Sequence, residues 1–316
     1  MYKRQAPILS RDVYSYLMQG AMLRDGFDPY SEGAAVNPGP YLWEVSHDWR
    51  NTTTPYGPLH LGMGKAVTWL VGENVTLGLV VYRLISLAGF ALIVWALPRI
   101  AKQIGGDPAL ALWLGAANPV MLLHLIGGMH NEAVMVGLVS VGLLWCLRSR
   151  WCTPGIALIA LAVSLKATAA VALPFVVWLM VKRRSATTLG AAGMLAACGA
   201  WALAVNVAVI QLVTWASGTT WGWLEEITGN SKVINPLAGP TLAAELITPV
   251  LQLFDDTFRY NTALAWTRTI FSALMLVGLA VVWWIFRPRR GEAYERRAVA
   301  GTTAAYAVAF ATNAVT

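Results

Sequence analysis

VTLGLVVYRLISLAGFALIVWAL, residues 75–97, decides the fold class of this chain. Apolar residues run all round the helix this stretch would form, with Arg83 as its one charge, whereas a soluble surface helix keeps them on a stripe. At about 1.5 Å per residue the run crosses a hydrocarbon core of roughly 30 Å. Pro98 closes it, and Arg99 and Lys102 follow. Similar runs lie on either side. Leu59–Val71 is short, contains Lys65 and suits an interfacial helix. Ala109–Leu125 is interrupted at Asn118-Pro119, and Ala133–Leu147, Ile156–Val181, Ala186–Val213 and Ala263–Phe286 follow, with another run from Ala298. Of 316 residues, 57% are hydrophobic and 12% charged, where a soluble domain carries roughly 25% charged. The expected fold is an all-α multi-pass membrane protein.

The formal net charge of +7 invites a nucleic-acid partner, but its distribution excludes one. Four basic-flanked loops (Arg99–Asp107, Arg148–Arg150, Lys182–Arg184 and Arg287–Arg297) hold twelve Lys/Arg against three acids. Ser10–Pro58 and Trp215–Tyr260 together hold five against eleven. Positive loops stay on the cytoplasmic side, so the two acidic segments face outward in an integral plasma-membrane protein. The three cysteines have neither metal nor disulfide spacing.

These assignments divide the chain. Residues 1–9 lack the apolar core of a signal peptide and read as a scar ahead of a truncated start. Residues 10–73 form a non-cytoplasmic loop with interfacial helices, and 74–214 form transmembrane helices with a recessed turn near 128–132. Arg150 and Lys182 are both cytoplasmic, so 153–181 must enter and return. Each arm is then about 23 Å, too short to cross, which puts the apex at Leu165–Thr168 inside the membrane. Residues 215–262 form an outer Trp-rich loop, and 263–316 further transmembrane helices that are cut off. The chain reads as a fragment of a longer protein.

Ionisable residues in such a chain mark candidate sites. Asp12 is either a general base for a sugar hydroxyl or a helix N-cap. Lys166 with Thr168 suits a lipid phosphate; the alternative is a structural or snorkelling lysine. Arg83 and Arg268 are weaker versions of the same idea. His130-Asn131-Glu132 either contacts sugar and orients the acceptor or, through Asn131, caps the helix from Ala133. Asp28 in D-P-Y has a sugar-binding reading and a turn-forming one. His124 reads as a packing histidine, with no second His or Cys at metal spacing. Trp221, with Trp215 and Trp223, can stack on sugar rings or sit at a membrane interface.

Several motifs carry a resemblance in this order: SRDVYSYLMQG (10–20), DPY (28–30), WRNTTTPYGPL (49–59), GGMHNEAVMVGL (127–138) and LKATA (165–169), then GWL (222–224) and PLAGPT (236–241). Together they resemble the polyprenyl-phosphomannose-dependent α-1,6-mannosyltransferases of the GT-C superfamily, which build the mannan backbone of lipomannan and lipoarabinomannan. The resemblance implies a GT-C-type helical core with a long, partly helical first outer loop. It also implies inverting mannosyl transfer on the non-cytoplasmic face, from polyprenyl-phosphate mannose to a lipid-anchored α-1,6-mannan. Asp12 matches the position of the catalytic aspartate. Lys166, with Thr168, Arg83 and Arg268, would hold the donor phosphate. His130, Asn131, Glu132, Asp28, Tyr56 and Trp221 would line the sugar and acceptor side. No metal and no cofactor is required. Where the superfamily motif reads H-N-D, this chain has the longer H-N-E. Two alternatives remain at this stage: another polyprenyl-linked sugar, such as arabinose or glucose, and a transporter or flippase of lipid-linked saccharides.

Overall fold

The computed structural model describes residues 10–148, 152–184, 190–229, 235–289 and 293–312, so the expected scar at 1–9 lies outside the described residues. Among the described residues all regular structure is helical. The chain forms two units, 1–227 and 228–316.

The first unit is organised around α1 (Asp12–Arg24), which carries buried Val13, Tyr16, Leu17, Met18, Ala21 and Met22 on nearly every side. A helix apolar all round belongs in a core, and the segment Ser10–Pro58 is accordingly packed. Gly26, at φ 93°, ends α1 in the left-handed region, and the Phe27 N–H turns back to Met22 O at 2.9 Å. A short helix, α2 (Pro40–Glu44), follows and buries Tyr41. α3 (Pro58–Val71) starts with proline at its first position, where the missing N–H costs nothing. It crosses α1 with backbones in contact: a Cβ on Gly20 would lie 2.2 Å from Gly64 C.

α4 (Val75–Gln103) has 29 residues and is the first helix long and apolar enough to cross a membrane. Asn74 caps it by accepting from Leu77 N at 3.0 Å. Contrary to the expectation, Pro98 lies inside it. One lost backbone donor does not end a helix that packs along its length against the next elements. Leu77, Leu84, Leu87 and Trp95 stay exposed, as lipid-facing residues do. α5 (Pro108–Gly115) and α6 (Pro119–Met121), continued by a π-helical turn at Leu122–Gly127, together form a broken apolar span bent by 53°.

α7 (Glu132–Leu147) lies tightly on α4, since a Cβ on Gly89 would sit 2.6 Å from the Ala133 and Val134 backbone. α8 (Cys152–Val163) and α9 (Leu173–Arg184) have 12 residues each, separated by an extended Lys166 and a 3-10 turn at Ala167–Ala172. Lys166 reaches Glu132 at the start of α7, while Arg183 donates to Cys146 O and Leu147 O at its end, at 2.6 and 2.7 Å. The chain therefore travels the length of α7 along α8 and returns along α9. α10 (Ala191–Ser217), 27 residues long, is the second helix able to cross. α11 (Trp223–Gly229) occupies part of the stretch expected as loop.

In the second unit, α12 (Gly239–Gln252), also inside that expected loop, packs through Ala244 on α13 (Tyr260–Ile285). α13 is the third apolar helix of spanning length, and its Ile270, Leu274, Val277, Val281 and Trp284 are exposed. α14 (Tyr294–Thr312) packs beside α13. The protein is an all-α membrane protein.

Candidate functional site

Three segments distant in sequence meet at the N-terminal end of α7. Two backbone hydrogen bonds join two of them: Gly57 N–H donates to Leu165 O at 3.1 Å and Leu59 N–H to Ser164 O at 2.8 Å. The first amides of a helix have no partner within it, and here the break between α8 and α9 supplies carbonyls to the start of α3. Lys166 follows directly. Its ammonium pairs with Glu132 Oε1 and lies 5.8 Å from the ring centroid of Tyr56.

The third segment is the turn before α7. His130 Nδ1 is 3.4 Å from Asp12 Oδ2 and 3.9 Å from Glu132 Oε2. Asp12 is the first residue of α1, and the position before it is Arg11, so the aspartate is not the cap of this helix. Its carboxylate faces the turn with about a third of the side chain exposed. An anion is favoured there by the helix dipole. His130 is mostly buried, and burial, then the neighbouring His124, hold its pKa below the usual value. Neutral His130 thus sits among two carboxylates and one ammonium.

Behind this polar cluster is a chain of neutral hydrogen bonds. Asn131 Nδ2 lies 3.2 Å from His60 Nδ1, and His60 Nε2 lies 3.2 Å from Gln19 Oε1. Asn131 donates, so Nδ1 accepts and Nε2 carries the proton given to Gln19. Gln19 Oε1 also accepts from Thr54 Oγ1 at 3.2 Å, and Thr54 Oγ1 accepts from Tyr56 N at 3.3 Å. Complete burial pushes the His60 pKa down to about 3. Tyr16 packs edge-on against His60 and Tyr56, with centroids at 4.7 and 5.5 Å. The chain ties the loop at Thr54–Tyr56, α1, α3 and the turn before α7 into one support.

The structure thus brings together Asp12, His130, Glu132, Lys166 and Tyr56. Asn131 is 5% exposed and its side chain faces His60; it makes no capping bond to α7. Thr168 donates to Met135 Sδ at 3.3 Å. Asp28 shapes a turn, accepting from Tyr30 N at 3.0 Å. Trp221 donates to Gln211 at 2.9 Å and stacks on Trp223. Arg83 is half-buried on α4, and Arg268 half-buried on α13 in the second unit.

Sequence reasoning missed Gln19, Thr54 and His60, although His60 shares its helix face with Gly64, Val67 and Val71. His124, read as a packing histidine, is exposed and stacks on His130 with centroids 4.0 Å apart. The π-helical turn, with an extra residue per hydrogen-bonded ring, is what turns His124 toward His130.

The family profile described as "Alpha-(1->6)-mannopyranosyltransferase, N-terminal domain" matches residues 4–182, a range that contains Asp12, His130, Glu132 and Lys166. The chain is 59% identical over 322 residues to alpha-(1->6)-mannopyranosyltransferase A of Corynebacterium glutamicum, an alignment covering 98% of this chain and 64% of that protein. It is 43% identical over 283 residues to the protein of the same name from Mycobacterium tuberculosis, covering 89% of this chain and 54% of that protein. The chain therefore spans between half and two thirds of the length of these relatives. No solved structure matches it.

Proposed function

This chain belongs to the alpha-(1->6)-mannopyranosyltransferase family, and from that premise we propose that it is the donor-binding and catalytic part of an inverting GT-C mannosyltransferase. The donor is polyprenyl-phosphate mannose and the acceptor a lipid-anchored α-1,6-mannan, met on the non-cytoplasmic face of the plasma membrane. The observation that carries the reading is the meeting of Asp12, His130, Glu132 and Lys166 around one turn, with Asp12 partly open to solvent.

In this reaction the C6 hydroxyl oxygen of the acceptor attacks the anomeric carbon of the β-linked mannosyl phosphate. The bond from that carbon to the phosphate oxygen breaks, and the electron pair leaves with polyprenyl phosphate. The proton of the hydroxyl goes to Asp12, and the new linkage is α. Polyprenyl phosphate leaves without needing a proton, so one base suffices. Lys166 supplies a fixed cation for the charge growing on the leaving phosphate, and Glu132 holds that cation in place. His130, kept neutral by burial, orients the Asp12 carboxylate without neutralising it.

The test uses membranes containing the full-length protein, labelled polyprenyl-phosphate mannose and an α-1,6-mannoside acceptor. Asp12→Asn should lower the rate by a factor of about 10² or more, the range of a lost general base, with donor binding retained. Absence of transfer by the unaltered protein, or transfer indifferent to Asp12→Asn, would sink the proposal.

A further inference from the structure

The turn between the π-helical segment and α7 has features beyond those the proposed transfer uses. Met129 adopts φ 54°, a left-handed conformation uncommon outside glycine, and is held there by burial to 1% exposure. Gly128 beside it admits no side chain, because a Cβ would lie 2.6 Å from His130 Cδ2 and 2.7 Å from His124 O. The π-helical turn closes through Gly128 N–H to Leu123 O at 2.8 Å. These features together press His130 onto His124.

The result is a donor set. One ligand atom each from His124, His130 and Glu132 lies within 4.8 Å of the others. A second observation points the same way: Glu132 Oε2 is buried without a hydrogen-bond partner, 3.9 Å from His130 Nδ1. A buried carboxylate oxygen normally has a partner. Lys166 takes Oε1 and so fixes the carboxylate with Oε2 toward the histidines, as charged neighbours orient metal ligands elsewhere.

We propose that His124, His130 and Glu132 form a binding site for one borderline divalent cation of the zinc class. Two imidazoles and one carboxylate suit Zn²⁺ or Co²⁺, whereas Mg²⁺ and Ca²⁺ prefer oxygen donors throughout. Donors around one tetrahedral ion with bonds of about 2.0–2.1 Å lie roughly 3.3 Å apart, so the set must contract. The histidine rings are stacked at 17°, and one must turn to aim its lone pair at a shared ion. His124 is exposed and free to do so, while His130 is held by the turn. Three protein donors leave coordination positions open, on a site next to Asp12.

The site rests on the turn and not on the identity of the sugar, so its test does not depend on transferase activity. Full-length protein in detergent is stripped with chelator, equilibrated with Zn²⁺ or Co²⁺, desalted, and read by elemental analysis and by the visible absorption of bound Co²⁺. About one ion per chain is expected, with the intense bands of a low-coordinate Co²⁺ site and no displacement by excess Mg²⁺. His124→Ala should weaken binding about tenfold or more while the melting temperature of the metal-free protein stays unchanged. His47→Ala, at an exposed histidine of the loop, should leave binding intact. Binding no stronger than that of His124→Ala, full retention in His124→Ala, or displacement by Mg²⁺ would each overturn the assignment.

Discussion

Removing Lys166 alone should cost more stability than removing it together with its partner. Lys166→Met takes away the only ammonium in contact with Glu132 among the described residues and leaves a carboxylate whose other oxygen, Oε2, already has no hydrogen-bond partner. Breaking a buried pair from one side costs about 3–5 kcal/mol, because the surviving charge keeps its desolvation penalty without its partner. The two side chains here are 29% and 22% exposed, so water recovers part of that penalty and the expected loss is at the lower end, about 3 kcal/mol. Glu132→Gln strands the ammonium instead and should cost a similar amount. The double variant buries no charge and should lie within about 1 kcal/mol of the unaltered protein, since neutral replacements of a buried pair are tolerated. The cycle is measured by reversible unfolding of the full-length protein in mixed detergent micelles. The predicted coupling is at least about 2 kcal/mol, well above the few tenths expected for independent sites. If Lys166→Met is as stable as the unaltered protein, or if the two losses add in the double variant, the pair does not hold this corner of the fold. The role assigned to Glu132 in fixing the cation would fall with it.

Two further outcomes follow from the support around the site. Gly89→Ala meets the backbone of Ala133 and Val134 at 2.6 Å, so α4 and α7 must part, at about 1–3 kcal/mol. Gly199→Ala on α10 meets nothing within 4 Å and should gain up to about 1 kcal/mol from helix propensity; equal effects at the two positions in a thermal unfolding assay would refute the close approach. Buried His60 titrates near 3 when folded, below its ordinary 6.5, so the unfolded chain binds its proton first. Its contribution is whole above about pH 6.5 and falls as the pH drops toward 3, by about 1.4 kcal/mol per pH unit. His60→Gln cannot titrate and should lack that component; parallel stability curves for the two proteins between pH 6.5 and pH 4 would refute it.

What could be read from the sequence, and what could not, separates along one physical line. A segment that must exclude water announces itself residue by residue. The all-α class, the span at 75–97 and the break at Asn118-Pro119 were legible because apolar length and proline act locally. Glu132 and Lys166 were legible for the converse reason: an ionisable group inside an apolar run is expensive, so each asks for a partner, and the structure shows that they are each other's. Neutral polar residues carry no such signal. Thr54, Gln19 and Asn131 are ordinary in loops and helix ends, and their hydrogen bonds through His60 exist only because α1 and α3 cross at two glycines. His124 is harder still. Six residues before His130, it matches no ligand spacing on a regular helix, and only the π-helical turn and the left-handed Met129 close the gap. The same distinction explains Asp12. As an N-cap it would have been local and structural; as the first residue inside α1 it spends no oxygen on the helix and turns its carboxylate to His130. Such a carboxylate, not spent on capping and fixed at a helix start facing His130, is what the proposed base role requires of Asp12.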